Sequence, residues 1–150
     1  MTSALKLSSV LLLGLTGIAL ASWSAASQDQ GTLWVEVRGF THTGGQAAAY
    51  LYRARDKLPG KIPYKKAYGV IREGKGKMAF EDLPYGSYAI IVFHDENSNG
   101  EPDHNLLRIP SEPLGFSNQF RPGLLAGLPS FEKLRFSFGP AETRQVMTIH

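Results

Sequence analysis

The chain contains no cysteine, which excludes a disulfide framework, a catalytic thiol and a lipid-bearing cysteine at a processed amino terminus. It has no Gly-x-Ser-x-Gly elbow and no helical His-Glu-x-x-His pair, so two common hydrolase signatures are missing. No apolar run approaches the roughly 20 residues that cross a bilayer. No segment sustains the 3.6-residue apolar period, with caps, of an amphipathic helix. Neither sign of charge dominates, with 16 basic against 13 acidic residues, a balance too mild to indicate nucleic-acid binding.

The longest apolar run, residues 10–21, lies near the amino terminus behind the lone charge of Lys6. Small residues follow in Ser24-Ala25-Ala26-Ser27. A charged start, a short apolar stretch and small residues at a cut site make a signal peptide over residues 1–27, cleaved after Ala26 or Ser27. A retained membrane anchor is the alternative, but a run of about a dozen residues is short for a span. Export to the periplasm or medium is therefore expected, with residues 28–150 as one mature domain and no stable membrane span once the signal is removed. Between Arg53 and Lys77 stand nine basic residues against Asp56 and Glu73. Such a cluster suits an anionic surface, or simply a solvated strand and loop face.

Alternation marks the mature chain as β. Leu33, Val35 and Val37 interleave with Trp34, Glu36 and Arg38, the pattern of a half-buried strand. His42-Thr43-Gly44-Gly45 reads as a turn into a second strand, 46–53, giving an expected hairpin. Ala47, Ala49 and Leu51 take one face there, Tyr50 and Tyr52 the other. A short edge strand is expected over 67–72 and another strand over 77–81. Residues 87–93 are apolar on both faces, as in a central covered strand. The stretch 102–130 is rich in Pro and Gly, too long for an ordinary connection and too broken for a helix. It reads as an ordered excursion packed over one end of the sheets, anchored by Ile109, Leu114, Phe116, Phe120 and Leu128. Residues 131–138 and 143–149 read as closing strands. The fold class predicted is all-β: an immunoglobulin- or transthyretin-like antiparallel sandwich of about seven strands with one long loop excursion.

The chemistry concentrates in His94-Asp95-Glu96-Asn97-Ser98-Asn99-Gly100-Glu101-Pro102-Asp103-His104-Asn105. Counting from Asp95, positions 1, 3, 5 and 9 are Asp95, Asn97, Asn99 and Asp103; Gly100 occupies position 6, and Glu101 at 7 offers its backbone carbonyl. Oxygens on alternate residues around a bend-forming glycine follow the logic of a Ca2+ loop. Position 12 is Leu106, not the bidentate Glu of an EF-hand, so the missing carboxylate is assigned to Glu112, held in a stiff segment between Pro110 and Pro113. Asn, Asp, Ser and Gly also dominate turns for local reasons, so a plain polar turn is the alternative. His94 and His104 with Asp95 or Asp103 make a zinc set on paper, but Asn-rich ligands favour hard cations. A Ser117-His94-Asp95 triad is disfavoured because neighbours on a strand point to opposite faces. Glu96 and Glu112 as a glycosidase pair have no separation that spacing alone can set.

Four stretches are similar to one family: Phe80-Glu81-Asp82-Leu83-Pro84-Tyr85-Gly86-Ser87-Tyr88-Ala89-Ile90; His94 through Gly100; Ile109-Pro110-Ser111-Glu112-Pro113-Leu114-Gly115-Phe116-Ser117-Asn118; and Pro129-Ser130-Phe131. Together they resemble domain of unknown function 2141, a family of exported bacterial proteins with no established activity. The resemblance covers nearly all of the mature chain and implies export and a sandwich fold. It departs at Arg108, where such families commonly carry a glycine before Ile-Pro. The expected function is an exported binding or structural module of the cell envelope with a Ca2+ loop. Trp34, Tyr50 and Tyr52 would form an aromatic face for a glycan or an envelope protein. A small metal-dependent hydrolase is the alternative.

Overall fold

The computed structural model describes residues 29–56, 58, 62–106, 110–122 and 129–150. The expected signal peptide therefore lies outside the described residues, as do Ile109 and Leu128 of the excursion. The strands are β1 (Gln30–Arg38), β2 (Gln46–Tyr52), β3 (Lys65–Gly69), β4 (Ile71–Arg72), β5 (Lys75–Pro84), β6 (Gly86–Asp95), β7 (Leu114–Phe116), β8 (Phe136–Phe138) and β9 (Arg144–Thr148). One helical turn, α1 (Phe131–Leu134), precedes β8. The surplus of two over seven strands comes from short pieces, β4 and β7.

The strands form two sheets packed face to face. One runs in the order β4-β5-β1-β9; the other runs β3-β2-β6-β7, with β8 also pairing β6. Pairing is antiparallel except between β1 and β9, where Trp34 sits beside Arg144 in a parallel ladder. The inner faces supply the main core: Leu33, Val35 and Val37 from β1, Ala47, Ala49 and Leu51 from β2, Met78 and Phe80 from β5, and Ile90 and Val92 from β6. These are the residues that the period of two assigns to the buried faces. Small residues set the sheet spacing at one point, because a Cβ on Gly76 would run into that of Ala47.

β6 is the strand on which the second sheet is built. It pairs with β2 through Ala49↔Val92 and with β7 through Val92↔Gly115. Its outward residues Ala89 and Phe93 enter a second cluster with Ala48, Tyr50, Tyr52, Phe116 and Leu134. The described parts of the Pro- and Gly-rich excursion thus cover the outer face of this sheet, beyond the sandwich end expected from sequence. Ser117, fully buried, fixes the cover: its hydroxyl donates to the Leu134 carbonyl at 2.6 Å and accepts the Ile90 N–H at 3.0 Å.

Three local expectations are corrected. β1 and β2 do not form a hairpin; they belong to different sheets, because each finds longer partners in β5 and β6. The supposed edge strand over 67–72 is cut at Val70, where the chain passes from β3 in one sheet to β4 in the other. Residues 131–134 are helical, not extended; Ser130 stands before the turn and Leu134 packs inward under the Ser117 bond.

Candidate functional site

β6 ends at Asp95, and alternation along it places His94 toward the main core and Asp95 toward the outer side. His94 is 1% exposed and Asp95 0%. A buried charge needs partners, and Asp95 has them. Its Oδ2 accepts from the Gln46 amide at 2.7 Å and from the Gly100 N–H at 2.9 Å, and its Oδ1 from the Asn99 N–H at 3.0 Å. The chain after β6 is therefore wound around this carboxylate. Gly100 takes φ +79, the bend that sequence reading assigned to position 6. Its carbonyl accepts the Tyr50 hydroxyl.

The remaining loop oxygens gather above. Asn97 Oδ1 accepts the Asn99 N–H at 3.0 Å, and Asn99 Oδ1 accepts the Glu101 N–H at 2.7 Å. Both amide nitrogens face Asp103, at 2.6 Å from Asn97 and 3.0 Å from Asn99. Glu112 folds back across the loop: its Oε1 accepts the Glu96 N–H at 2.9 Å and its Oε2 the Asp103 N–H at 3.0 Å. Glu112 is buried, at 7% exposure. The structure thus brings Asp95, Asn97, Asn99, Glu101, Asp103 and Glu112 into one cluster.

It does not bring the aromatic trio together. Trp34 is 57% exposed on the outer face of the β1 sheet, whereas Tyr50 and Tyr52 are 5% and 3% exposed on the other sheet. The expected single stacking face is corrected: the excursion and α1 pack over the tyrosines and bury them. Tyr50 stacks edge-on against Phe93 at 5.1 Å and holds the loop through Gly100. Trp34 instead borders a shallow, open depression with Glu36, Lys77, Thr143 and Arg144. Glu36 is bridged by Arg38 at 2.7 Å and by Arg144, and these two guanidiniums, Arg38 foremost, hold its carboxyl below the usual range against the opposing pull of burial.

Burial pushes the Tyr52 hydroxyl up to about 12, with smaller contributions from Tyr50 and Asp56. An unfolded tyrosine titrates near 10. Below pH ~10 both states keep the proton; between about 10 and 12 only the folded state keeps it, so stability falls as pH rises through that window. Urea unfolding across pH 9–12 is expected to show that loss, and Tyr52→Phe is expected to make the slope shallower. An unchanged slope in Tyr52→Phe would place the alkaline loss on other groups.

His42 belongs to the His42-Thr43-Gly44-Gly45 stretch, whose residue types indicate only a turn. The structure sets it beside His94, ring centroids 4.5 Å apart, and within 3.3 Å of Glu96 Oε1. No spacing rule links residues 52 and 54 positions apart, so no local signal announces the contact. His104, the partner considered for His94 from sequence, instead forms a bridge with Pro110. Ser117 is committed to Ile90 and Leu134, and His94 Nε2 lies 2.7 Å from the Gly44 carbonyl, so the triad does not form.

The model of domain of unknown function 2141, described as an uncharacterized protein conserved in bacteria, matches residues 35–146, and the chain belongs to that family. No curated protein and no solved structure gives a significant match. Among the described residues no helix is long and apolar enough to cross a membrane.

Proposed function

We propose that this family member is an exported, non-catalytic module of the bacterial envelope whose β6 loop takes Ca2+ as a structural staple. The observation that carries the reading is Glu112. A carboxylate 17 residues downstream of Asp95 is folded back and fixed by two backbone N–H groups over the same loop. Asp95, Asp103 and Glu112 place three carboxylates around Asn97 and Asn99, and oxygen-rich, highly charged loops suit a hard cation that takes 6–8 oxygens. Each Glu112 oxygen uses one acceptor position on an N–H and keeps another for an ion. Ca2+ entry displaces the two amide donors now facing Asp103. Such a site binds weakly, on the order of 10⁻⁴ M, as in extracellular modules.

The expected partner, a glycan or an envelope protein, would meet the exposed Trp34, which has Lys77 and Arg144 beside it. Export, as the signal-like residues 1–27 imply, supplies the millimolar calcium that so weak a site needs. Ca2+ titration followed by amide NMR tests the loop. Saturable shifts centred on Glu96, Asn99, Gly100 and Asp103 are expected; shifts spread evenly over surface acids would refute a defined site.

The hydrolase reading draws on one observation, a His/His/Glu group at the end of the sandwich. The depression nearby, lined by Gly45, Gln46, Tyr68, Gly69, Val70 and Ser98, is shallow and open. It gives a substrate little enclosure, so the module reading is preferred.

A further inference from the structure

His42, His94 and Glu96 stand on the opposite side of the β6 end from the carboxylate loop. Their ligating atoms all lie within 4.8 Å of one another. We propose that they form a second, chemically distinct metal site, for a divalent first-row ion of the Zn2+ class. The inference goes beyond the calcium reading and does not depend on it.

Three features carry it. The first is the state of His94. Its Nε2 lies 2.7 Å from the Gly44 carbonyl oxygen, and a carbonyl can only accept, so Nε2 bears the proton. In the neutral ring, the form that binds a metal, the lone pair is then on Nδ1, which faces Glu96 Oε1 at 3.8 Å. A ligating histidine that donates its other N–H to a backbone carbonyl is the usual arrangement at metal centres.

The second feature is spacing. Bonds of about 2.0–2.2 Å in a tetrahedron place the donors ~3.3–3.6 Å apart. Two of the three separations here are 3.3 Å from His42 Nε2 to Glu96 Oε1 and 3.8 Å from His94 Nδ1 to the same oxygen, and the third lies within 4.8 Å. His42 and Glu96 are half-exposed, at 51% and 48% of their side chains, so each can close the remaining gap. Buried His94 supplies the fixed point, with Phe40 edge-on to its ring at 5.1 Å.

The third feature is preorganisation. Gly45 has φ +73, and a Cβ there would meet the Asp95 carbonyl oxygen and lie 2.6 Å from Glu96 Cα. The β1–β2 connection therefore rides directly on the end of β6, and this close approach delivers His42 to residues 54 positions away. Two imidazoles and one carboxylate form a borderline-soft donor set suited to Zn2+, whereas all-oxygen loops suit Ca2+. Three protein ligands leave a fourth position for water. The ion would tie the β1–β2 connection to β6.

The test is calorimetric titration of the untagged full chain with Zn2+, with Co2+ absorption as a report on geometry. Wild type is expected to bind one equivalent and to give tetrahedral Co2+ bands. His42→Ala and Glu96→Gln, both at exposed positions, should each weaken Zn2+ by about tenfold or more. His104→Ala should bind like wild type. Millimolar Ca2+ should not compete. No Zn2+ binding by wild type, or His42→Ala binding as tightly as wild type, would overturn the proposal, as would loss of binding in His104→Ala. None of these outcomes bears on the calcium loop, whose amide shifts are read with Ca2+ alone.

Discussion

Asp95→Ala is expected to lower folding stability by about 2–4 kcal/mol in metal-free buffer, measured by urea unfolding with chelator present. The side chain is fully buried and accepts three hydrogen bonds. Each buried donor left without a partner costs about 1–3 kcal/mol. The Gly100 N–H loses its acceptor outright. The Gln46 amide can turn partly toward water, and the Asn99 N–H keeps Asn97 Oδ1, which holds the total below the sum of three full losses. Asp95→Asn keeps one acceptor oxygen and should lose roughly half as much. A loss under about 1 kcal/mol for alanine would mean that the loop is not wound on Asp95.

Gly45→Ala is expected to cost about 3 kcal/mol or more. A left-handed backbone penalises any Cβ by roughly 1–2 kcal/mol. Here the new carbon also strikes backbone, the Asp95 carbonyl and Glu96 atoms at 2.6 and 2.7 Å, which no rotamer change can relieve. The β1–β2 connection must lift away, taking His42 from His94 and Glu96, so Zn2+ binding should fall with stability. Gly44→Ala is the control. Its Cβ would meet only the His42 ring, at 3.3 Å, and a half-exposed side chain can move aside. A cost under about 1 kcal/mol is expected there. Equal losses at both positions would show that the close approach at Gly45 is not what holds this corner.

The core was legible because burial on a sheet has a period of two. Leu33, Val35 and Val37 turn inward, and β6 is apolar on both faces because a covering layer packs on each. Pairing was less legible. Alternation states which face a strand buries, not which neighbour it meets, so β1 and β2 read as a hairpin although they lie in different sheets. The Asp95–Asp103 loop and the return of Glu112 could be read because a turn and a proline-stiffened segment are local features. The aromatic trio failed for the opposite reason. Tyr50 and Tyr52 share a strand face, but only the non-local packing of Phe116, Leu134 and their neighbours shows that this face is covered. His42 needed the same non-local information.

Thermal melting with and without calcium tests the central claim most directly, using protein first stripped of transition metals. With a Kd on the order of 10⁻⁴ M, about 10 mM Ca2+ is a hundredfold excess and stabilises by ~2.7 kcal/mol, on the order of 10 °C for a domain of this size. Wild type should show that rise and chelator should reverse it, while Glu112→Gln should show a clearly smaller one. A melting temperature that calcium leaves unchanged in wild type would contradict the account and reduce the loop to a turn folded on its own carboxylates.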